Sequence, residues 1–194
     1  MEDVPQPDPL DPPATGAWRR VAHRAGPTLR IFRARFDRMV NPRTGSEVEA
    51  VVLETPTWAN VVALTPEREM VLVRQHRFGI DGPTTEIPGG MVELDEAPLL
   101  GAQRELLEET GYSSQRWSAL GSSQPNPAFH NNLCHHFLAE DCQRTAEPAL
   151  DEGEDVEVFL RPIADVVDAV RRGQIQNSLV LCALAKVFDL RIPG

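Results

Sequence analysis

The chain has 194 residues and a formal net charge of −10 at pH 7, which fits one domain with a small appended part and argues against a long nucleic-acid backbone as the main ligand. No run approaches the roughly 18 apolar residues that span a membrane, and the first 17 residues lack the basic and apolar blocks of a signal peptide. The three cysteines form no C-x-x-C pair, so we expect a cytoplasmic protein with reduced thiols that act as small buried side chains.

The part of the chain before residue 56 has two compositions. Residues 1–17 contain five prolines together with acidic and small residues, which predicts an extended tail. Residues 18–55 contain a strand-like alternation at 29–36, a turn at 41–45 and a second strand pattern at Glu47–Glu54. We therefore expect a small N-terminal antiparallel sheet.

Residues 56–194 carry the patterns of the main domain. A turn at Thr65 and Pro66 separates the first two strand patterns, and 76–84 and 122–129 are expected to be loops. Strand patterns occur at 58–64, 69–75, 117–121, 133–139 and 156–160, and helical periodicity occurs at 98–110, 163–172 and 177–188. This arrangement predicts an α/β fold in which a mixed β-sheet lies between helices.

The helix predicted at 98–110 has an acidic face. Pro98 suits the first turn, where its missing N–H costs nothing, and Gly111 suits the left-handed position that ends a helix. Three carboxylates stand at i, i+3 and i+4 on one face, those of Glu105, Glu108 and Glu109. Arg104 pairs with one of them across a turn, and the remaining negative charge favours a hard cation such as Mg²⁺ or Mn²⁺.

The stretch from Gly90 to Tyr112 resembles the Nudix box, which is a glycine, five residues, a glutamate, seven residues and then Arg-Glu-aliphatic-x-Glu-Glu-x-Gly-apolar. All nine defined positions are filled, by Gly90, Glu96, Arg104, Glu105, Leu106, Glu108, Glu109, Gly111 and Tyr112. The resemblance implies a Nudix fold and a Mg²⁺-dependent pyrophosphatase. It also implies that the metal ligands are the carboxylates of Glu105, Glu108 and Glu109 and the backbone carbonyl of Gly89. Arg104 would orient the glutamates, and Glu96 would support the loop.

A second acidic segment, 151–155, precedes the strand pattern at 156–160. From the residues alone it is either a solvated turn or a source of the base that pyrophosphate hydrolysis needs. The segment and the later G-x-I-x-N-small sequence at 173–178 are similar to the C-terminal part of ADP-ribose pyrophosphatases. That resemblance implies that Glu152 activates water and that Glu154 reaches a metal.

Two residues before the box resemble substrate contacts of the same subfamily, Arg77 after the strand at 69–75 and Glu86 just ahead of the glycines. In those relatives the N-terminal strands help to form a homodimer, so we expect one here. ADP-ribose, which would give AMP and ribose 5-phosphate, is the first expected substrate. The loop at 123–129 departs from the subfamily, which leaves GDP-mannose, other nucleoside diphosphate sugars and NADH open. A non-catalytic module that senses a nucleotide sugar is the alternative from another functional class.

Several single residues have two interpretations. His135 and His136 are adjacent in a strand and point to opposite faces, so a zinc site shared with His130 is not expected. Trp58 at a strand start suits a core or dimer contact better than base stacking. A basic stripe is either a solvated face or a site for phosphate or an acidic partner, and it consists of Arg30, Arg33, Arg35 and Arg38.

Overall fold

The protein is described here from a computed structural model. It describes residues 16–150, 152–153 and 155–192, so most of the tail predicted at 1–17 lies outside it. The fold separates into two units, the first ending at Glu54 and the second beginning at Thr55.

The N-terminal unit contains a three-stranded antiparallel sheet in the order β1-β2-β3. Its strands are β1 (Arg19–Thr28), β2 (Arg33–Val40) and β3 (Glu47–Glu54). The small N-terminal sheet is thus confirmed, but the strand predicted at 29–36 is wrong in its first half. That stretch is the β1–β2 turn, in which the Leu29 amide donates to the Phe32 carbonyl at 2.8 Å.

Charge pairing within and between strands stabilises this sheet. The Arg35 guanidinium donates to both Asp37 oxygens at 2.9 Å and to Glu54 at 2.5 Å, and Arg24 lies 3.8 Å from the centre of the Phe36 ring. Asp37 is almost fully buried, and the hydrogen bond from Arg35 holds the pKa of its carboxyl below the usual value. Since Arg33 also pairs with Glu54, much of the basic stripe is occupied by acidic neighbours within its own sheet.

The second unit contains a four-stranded sheet in the order β7-β4-β10-β9, a three-stranded sheet in the order β12-β5-β6 and the pair β11-β8. The strands are β4 (Trp58–Ala63), β5 (Glu69–Arg77), β6 (Gly82–Glu86), β7 (Gly89–Met91), β8 (Tyr112–Ser113), β9 (Arg116–Ser123), β10 (Cys134–Glu140), β11 (Gln143–Arg144) and β12 (Val156–Pro162). The helices are α1 (Pro98–Thr110), α2 (Ile163–Arg171) and α3 (Ser178–Ala185). Strands β4 and β10 run parallel and their other neighbours antiparallel, so the predicted mixed sheet is confirmed.

The segment 76–84, expected to be a loop, is mostly strand. Strand β5 continues to Arg77 and pairs with β6 in a hairpin, with Arg77 opposite Gly82 and Val73 opposite Glu86. Only 78–81 forms the turn. The pattern was hidden because Gly82 and Pro83 are poor strand formers, and pairing with β5 overrides that preference.

Helices cover opposite faces of the sheets, as the alternation of side chains along β4 shows. Val61 and Ala63 pack with Leu106 of α1 in one buried cluster. Val62 packs in a second cluster with residues of α2 and α3. Fully burying a side chain of this size stabilises the fold by about 1.5–3 kcal/mol, so both faces contribute to the core.

Two of the three cysteines are buried, as expected for small side chains of the core, and Cys182 is partly buried. All three cysteines are unpaired, with Cys134 and Cys142 buried. Burial raises the pKa of the Cys134 thiol to about 12 and that of Cys142 to about 11, so neither thiol is a nucleophile at neutral pH. Across the part of the chain that the structure covers, no helix is long and apolar enough to cross a membrane.

Candidate active site

Helix α1 provides a rigid base for the acidic face. Pro98 occupies its first turn, and the helix ends at Gly111, whose φ of 74° is left-handed and whose amide donates to the Leu107 carbonyl at 2.8 Å. Both predicted end signals are confirmed. Ala102 and Leu106 are completely buried, so the adjoining arc of the helix, which carries the three carboxylates, is held at a fixed position.

Arg104 is the centre of the site. Its guanidinium donates twice to Glu96 at 3.1 Å, once to Glu105 and once to Glu108 at 3.0 Å, and to the Met91 carbonyl at 2.9 Å. The hydrogen bonds that Arg104 donates to these carboxylates, Glu96 first, raise the pKa of Arg104 above its ordinary value. One cation therefore ties the loop at 91–97 to the helix and orients two of its three glutamates.

Two glycines bring the backbone close to the helix carboxylates. A Cβ on Gly90 would lie 2.5 Å from the Glu105 carboxylate, so only glycine allows that side chain its position. Gly89 has a φ of +154°, and a Cβ there would lie 2.6 Å from the Asn60 Cα. The buried Glu109 accepts the Gly89 amide at 2.8 Å. The structure thus places Glu109 beside Gly89 and Glu105 beside Gly90, and the role of Gly89, Glu105 and Glu109 as metal ligands stays a prediction.

The donor set fits a hard divalent cation. Arg104 with its neighbours Glu96, Glu105, Glu108 and Glu109 carries a formal charge of −3, and every donor is an oxygen of the kind that Mg²⁺ prefers. In the part of the chain that is described, no three His, Cys, Asp or Glu side chains already converge on one point. Arg104 contacts Glu105 and Glu108, and Glu109 contacts Gly89. The predicted ligand Glu154 lies outside the described residues.

The two predicted substrate contacts bind each other. Arg77 donates to the Glu86 carboxylate at 2.9 and 2.7 Å, and the Thr84 hydroxyl donates to the same carboxylate at 2.6 Å. Burial alone would raise the pKa of Glu86, but the hydrogen bonds from Arg77, Thr84 and Asn177 and the Arg77 charge outweigh it and lower that pKa. Arg77 remains 45% exposed while Glu86 is buried, so Arg77 is the member of the pair that reaches solvent.

The predicted base lies near the end of the three-stranded sheet β12-β5-β6, at which Arg77 also lies. Glu152 is exposed in a turn just ahead of β12. Val156, the first residue of β12, pairs with Gln75, two residues before Arg77. The loop that contains Glu152 therefore leaves the sheet at the same end as Arg77.

Sequence reasoning missed a buried polar network behind the site. His136 is fully buried and bonds Asn60 at 2.7 Å and Ser123 at 2.8 Å, and Asn60 donates to the Leu179 carbonyl at 3.2 Å. Asn177 was also missed as a contact, although it caps α3 by accepting the Leu179 and Val180 amides. Its position before a helical pattern was a readable signal. The histidine network had no such signal, since its members are far apart in sequence.

Comparison with known proteins gives consistent matches. A model of the NUDIX domain matches residues 54–180. An ADP-ribose pyrophosphatase of Bacillus subtilis (strain 168) is 30% identical over 141 residues, 72% of this chain and 76% of that protein. A GDP-mannose pyrophosphatase of Cronobacter sakazakii (strain ATCC BAA-894) is 29% identical over 126 residues, 61% of this chain and 65% of that protein. A crystal structure of an ADP compounds hydrolase, 18% identical, has a TM-score of 0.79 and covers 90% of this chain and 94% of that one, which shows a shared fold.

Proposed function

The chain belongs to the Nudix family and is a hydrolase of pyrophosphate bonds, and from that premise we propose that it cleaves a nucleoside diphosphate sugar with Mg²⁺ as cofactor. ADP-ribose is the first substrate, giving AMP and ribose 5-phosphate, and Mn²⁺ is a possible substitute for Mg²⁺. We propose a cytoplasmic location, which the three unpaired cysteines support. The observation that carries the proposal is the cluster of glutamate carboxylates around Arg104, in which Glu105 packs against Gly90.

Glu105, Glu108, Glu109, Glu154 and the Gly89 carbonyl would hold the divalent ion. When bound, such an ion neutralises phosphate charge and makes a bound water more acidic. The chain supplies the remaining functions. Its Arg104 fixes the directions of the Glu105 and Glu108 carboxylates, as residues behind metal ligands commonly do.

Two residues near the end of the three-stranded sheet β12-β5-β6 would accept the proton and bind the substrate. Glu152 would accept a proton from the attacking water, whose oxygen bonds to phosphorus while the bond from phosphorus to the bridging oxygen breaks. Arg77 would hold a phosphate oxygen of the substrate. Its planar fork suits that contact, and Glu86 holds the guanidinium from the protein side.

The decisive experiment measures products from ADP-ribose, GDP-mannose, UDP-glucose and NADH, with Mg²⁺ and with a chelator. We expect AMP and ribose 5-phosphate from ADP-ribose only when Mg²⁺ is present. Glu105→Gln should lower the rate at least about a hundredfold, since a lost metal-binding charge weakens stabilisation of the transition state. Glu67→Gln, in an exposed turn, is the matched control and should keep full activity.

Two results would contradict this proposal. Undiminished turnover in the chelator would exclude the divalent cofactor, and near-normal activity of Glu105→Gln would remove that residue from the metal site. Preference for GDP-mannose would retain the chemistry and change the substrate. That second candidate is supported by the GDP-mannose pyrophosphatase among the relatives and by the unusual loop at 123–129.

We also propose that the N-terminal sheet makes the chain a homodimer. Residues 16–54 carry eight arginines against four carboxylates, whereas the whole chain has a net charge of −10. The sheet exposes large apolar side chains, with Ile31 at 50% and Val51 at 47%. Such a surface suits a second copy of an acidic chain. Light scattering coupled to size exclusion should give twice the monomer mass of 21.5 kDa, and Val51→Asp should reduce it.

A further inference from the structure

His136 links three elements of the second unit through one chain of hydrogen bonds. Its Nδ1 lies 2.7 Å from Asn60 Oδ1 on β4, and its Nε2 lies 2.8 Å from the Ser123 hydroxyl on β9. Asn60 Nδ2 donates at 3.2 Å to the carbonyl of Leu179 in α3. The His136 side chain is completely inaccessible to solvent, so no water replaces these partners.

The direction of every bond in this network follows from one donor. The Asn60 amide nitrogen donates to Leu179, so its oxygen accepts and His136 Nδ1 must carry the proton. His136 Nε2 is then an acceptor, and the Ser123 hydroxyl donates to it. Burial, helped by the charges of Lys186 and His135, lowers the pKa of His136 to about 4. The ring is therefore neutral at physiological pH.

Both ends of the network adjoin the proposed active site. Ser123 is the last residue of β9, so the loop expected at 122–129 is strand in its first two residues and begins at 124. Asn60 is the strand partner of Gly89, whose carbonyl is a proposed metal ligand. The network also holds the first turn of α3, which follows Asn177, a hydrogen-bond partner of Glu86.

The loop leaves the sheet at the end that carries the catalytic box. Met91, Trp58, Cys134 and Ser123 form one row across the four strands. Three strand spacings of about 4.8 Å place Ser123 roughly 14 Å from β7. A substrate with its phosphates at Gly89 and Gly90 would reach the loop by extending along this end of the sheet.

We infer that His136 is a positioning residue which fixes the start of the loop at 123–129 through Ser123, and that this loop selects the sugar-phosphate half of the substrate. The inference rests on the proposed function, because it assigns selectivity within the same site. His136 touches no reacting atom. It acts by holding Ser123 and Asn60 in one geometry, which a neutral, singly protonated imidazole does without needing a solvent-exposed charge.

Three variants separate the two bonds of the imidazole. Ser123→Ala removes the hydroxyl donor, and His136→Asn places an amide near the Nδ1 position, which keeps the Asn60 contact and loses Ser123. His136→Gln places an amide near the Nε2 position and keeps Ser123. Each protein is compared with wild type by the ratio of kcat/KM for ADP-ribose to kcat/KM for GDP-mannose. Amide hydrogen exchange of residues 124–130 is measured in parallel without substrate.

We expect Ser123→Ala and His136→Asn to change the kcat/KM ratio and the loop exchange rate by about tenfold, the scale of one or two hydrogen bonds. His136→Gln should remain within about twofold of wild type in both, as a rescue. A purely structural role would reduce the active fraction for both substrates equally and leave the ratio unchanged. That result overturns the inference, and so does unchanged loop exchange in Ser123→Ala.

The design also distinguishes failure of the proposed function. Wild-type protein that hydrolyses neither nucleotide refutes the proposed substrates. Amide hydrogen exchange alone then tests the positioning role of His136. Faster exchange confined to residues 124–130 in Ser123→Ala and His136→Asn supports that role. Exchange at the wild-type rate in both variants refutes it. If His136→Asn fails to fold, Ser123→Ala gives the same decision, since it removes a single hydroxyl from a half-buried strand end.

Discussion

Replacing Glu86 by glutamine tests the buried ion pair behind the proposed phosphate contact. The substitution keeps the shape of the side chain and removes its charge. Glu86 accepts two hydrogen bonds from Arg77 and one from Thr84, and an amide accepts through only one of its two terminal atoms. The NH₂ group therefore faces a donor that it cannot satisfy.

The expected magnitude follows from the exposure of the two partners. A hydrogen bond to a charged group contributes about 1.5–3 kcal/mol, and breaking a fully buried pair costs about 3–5 kcal/mol. Arg77 is 45% exposed, so water compensates part of its loss and the lower figure applies. We expect Glu86→Gln to lower the free energy of unfolding by about 2 kcal/mol, which for a chain of this size lowers Tm by about 4–8 °C.

The pH dependence of stability tests independently whether ionised Glu86 stabilises the fold. The pKa of Glu86 in the folded protein lies below its ordinary value of 4.5, so the ionised form stabilises the fold above that value. This stabilisation is lost as the pH falls through the folded pKa. The stability difference between wild type and Glu86→Gln should therefore be constant from about pH 6 to 8 and shrink below about pH 4.5.

Thermal and urea unfolding at several pH values measure this difference. Glu157→Gln, an exposed substitution in the same sheet, is the control and should leave stability nearly unchanged. KM for the substrate should rise in Glu86→Gln, because Arg77 loses the carboxylate that orients it. Equal stability of variant and wild type at pH 7, or a difference that grows on acidification, would show that the ion pair does not support the fold.

Three further substitutions test the geometry of the site. Gly90→Ala should lower kcat at least about tenfold while the protein remains folded, because the new Cβ displaces the Glu105 carboxylate; Gly79→Ala, which meets open space, should retain wild-type kcat. Gly111→Ala should lower the urea midpoint, because its φ of 74° disfavours any Cβ; an unchanged midpoint would show that the helix end relaxes freely. Asn177→Ala should reduce stability by about 1 kcal/mol, the usual effect of a lost N-cap, and circular dichroism during unfolding would detect it.

The acidic helix could be predicted because its determinants are local. Pro98 and Gly111 define its ends, and residues three and four apart face the same way on any helix. The contact of Arg104 with Glu108 follows from that spacing and is present at 3.0 Å. Its two hydrogen bonds to Glu96 depend on the path of the loop at 91–97, which periodicity does not describe.

Elements stabilised by contacts with distant residues were not predictable in the same way. Strand β1 is exposed along almost its whole length, so it lacks the apolar alternation that marks a half-buried strand. It is held by cross-strand contacts such as Arg20 with Asp37 and Arg24 with Glu49. Strand β6 contains Gly82 and Pro83 and exists because β5 pairs with it.

One isolated β-bridge in the second unit fixes the strand directions that bring the proposed site residues to one end. Leu64 and Met70 pair antiparallel across the turn between β4 and β5, so the start of β4 and the end of β5 point to the same side. The start of β4 is the row that contains Met91 and Ser123, and the end of β5 carries Arg77. The box, the loop at 123–129 and the proposed phosphate contact therefore come to one end of the fold through strand direction. Sequence spacing identified these segments as separate candidates, and the strand pairing brings them to the same end of the second unit, where we propose that one extended substrate contacts all of them.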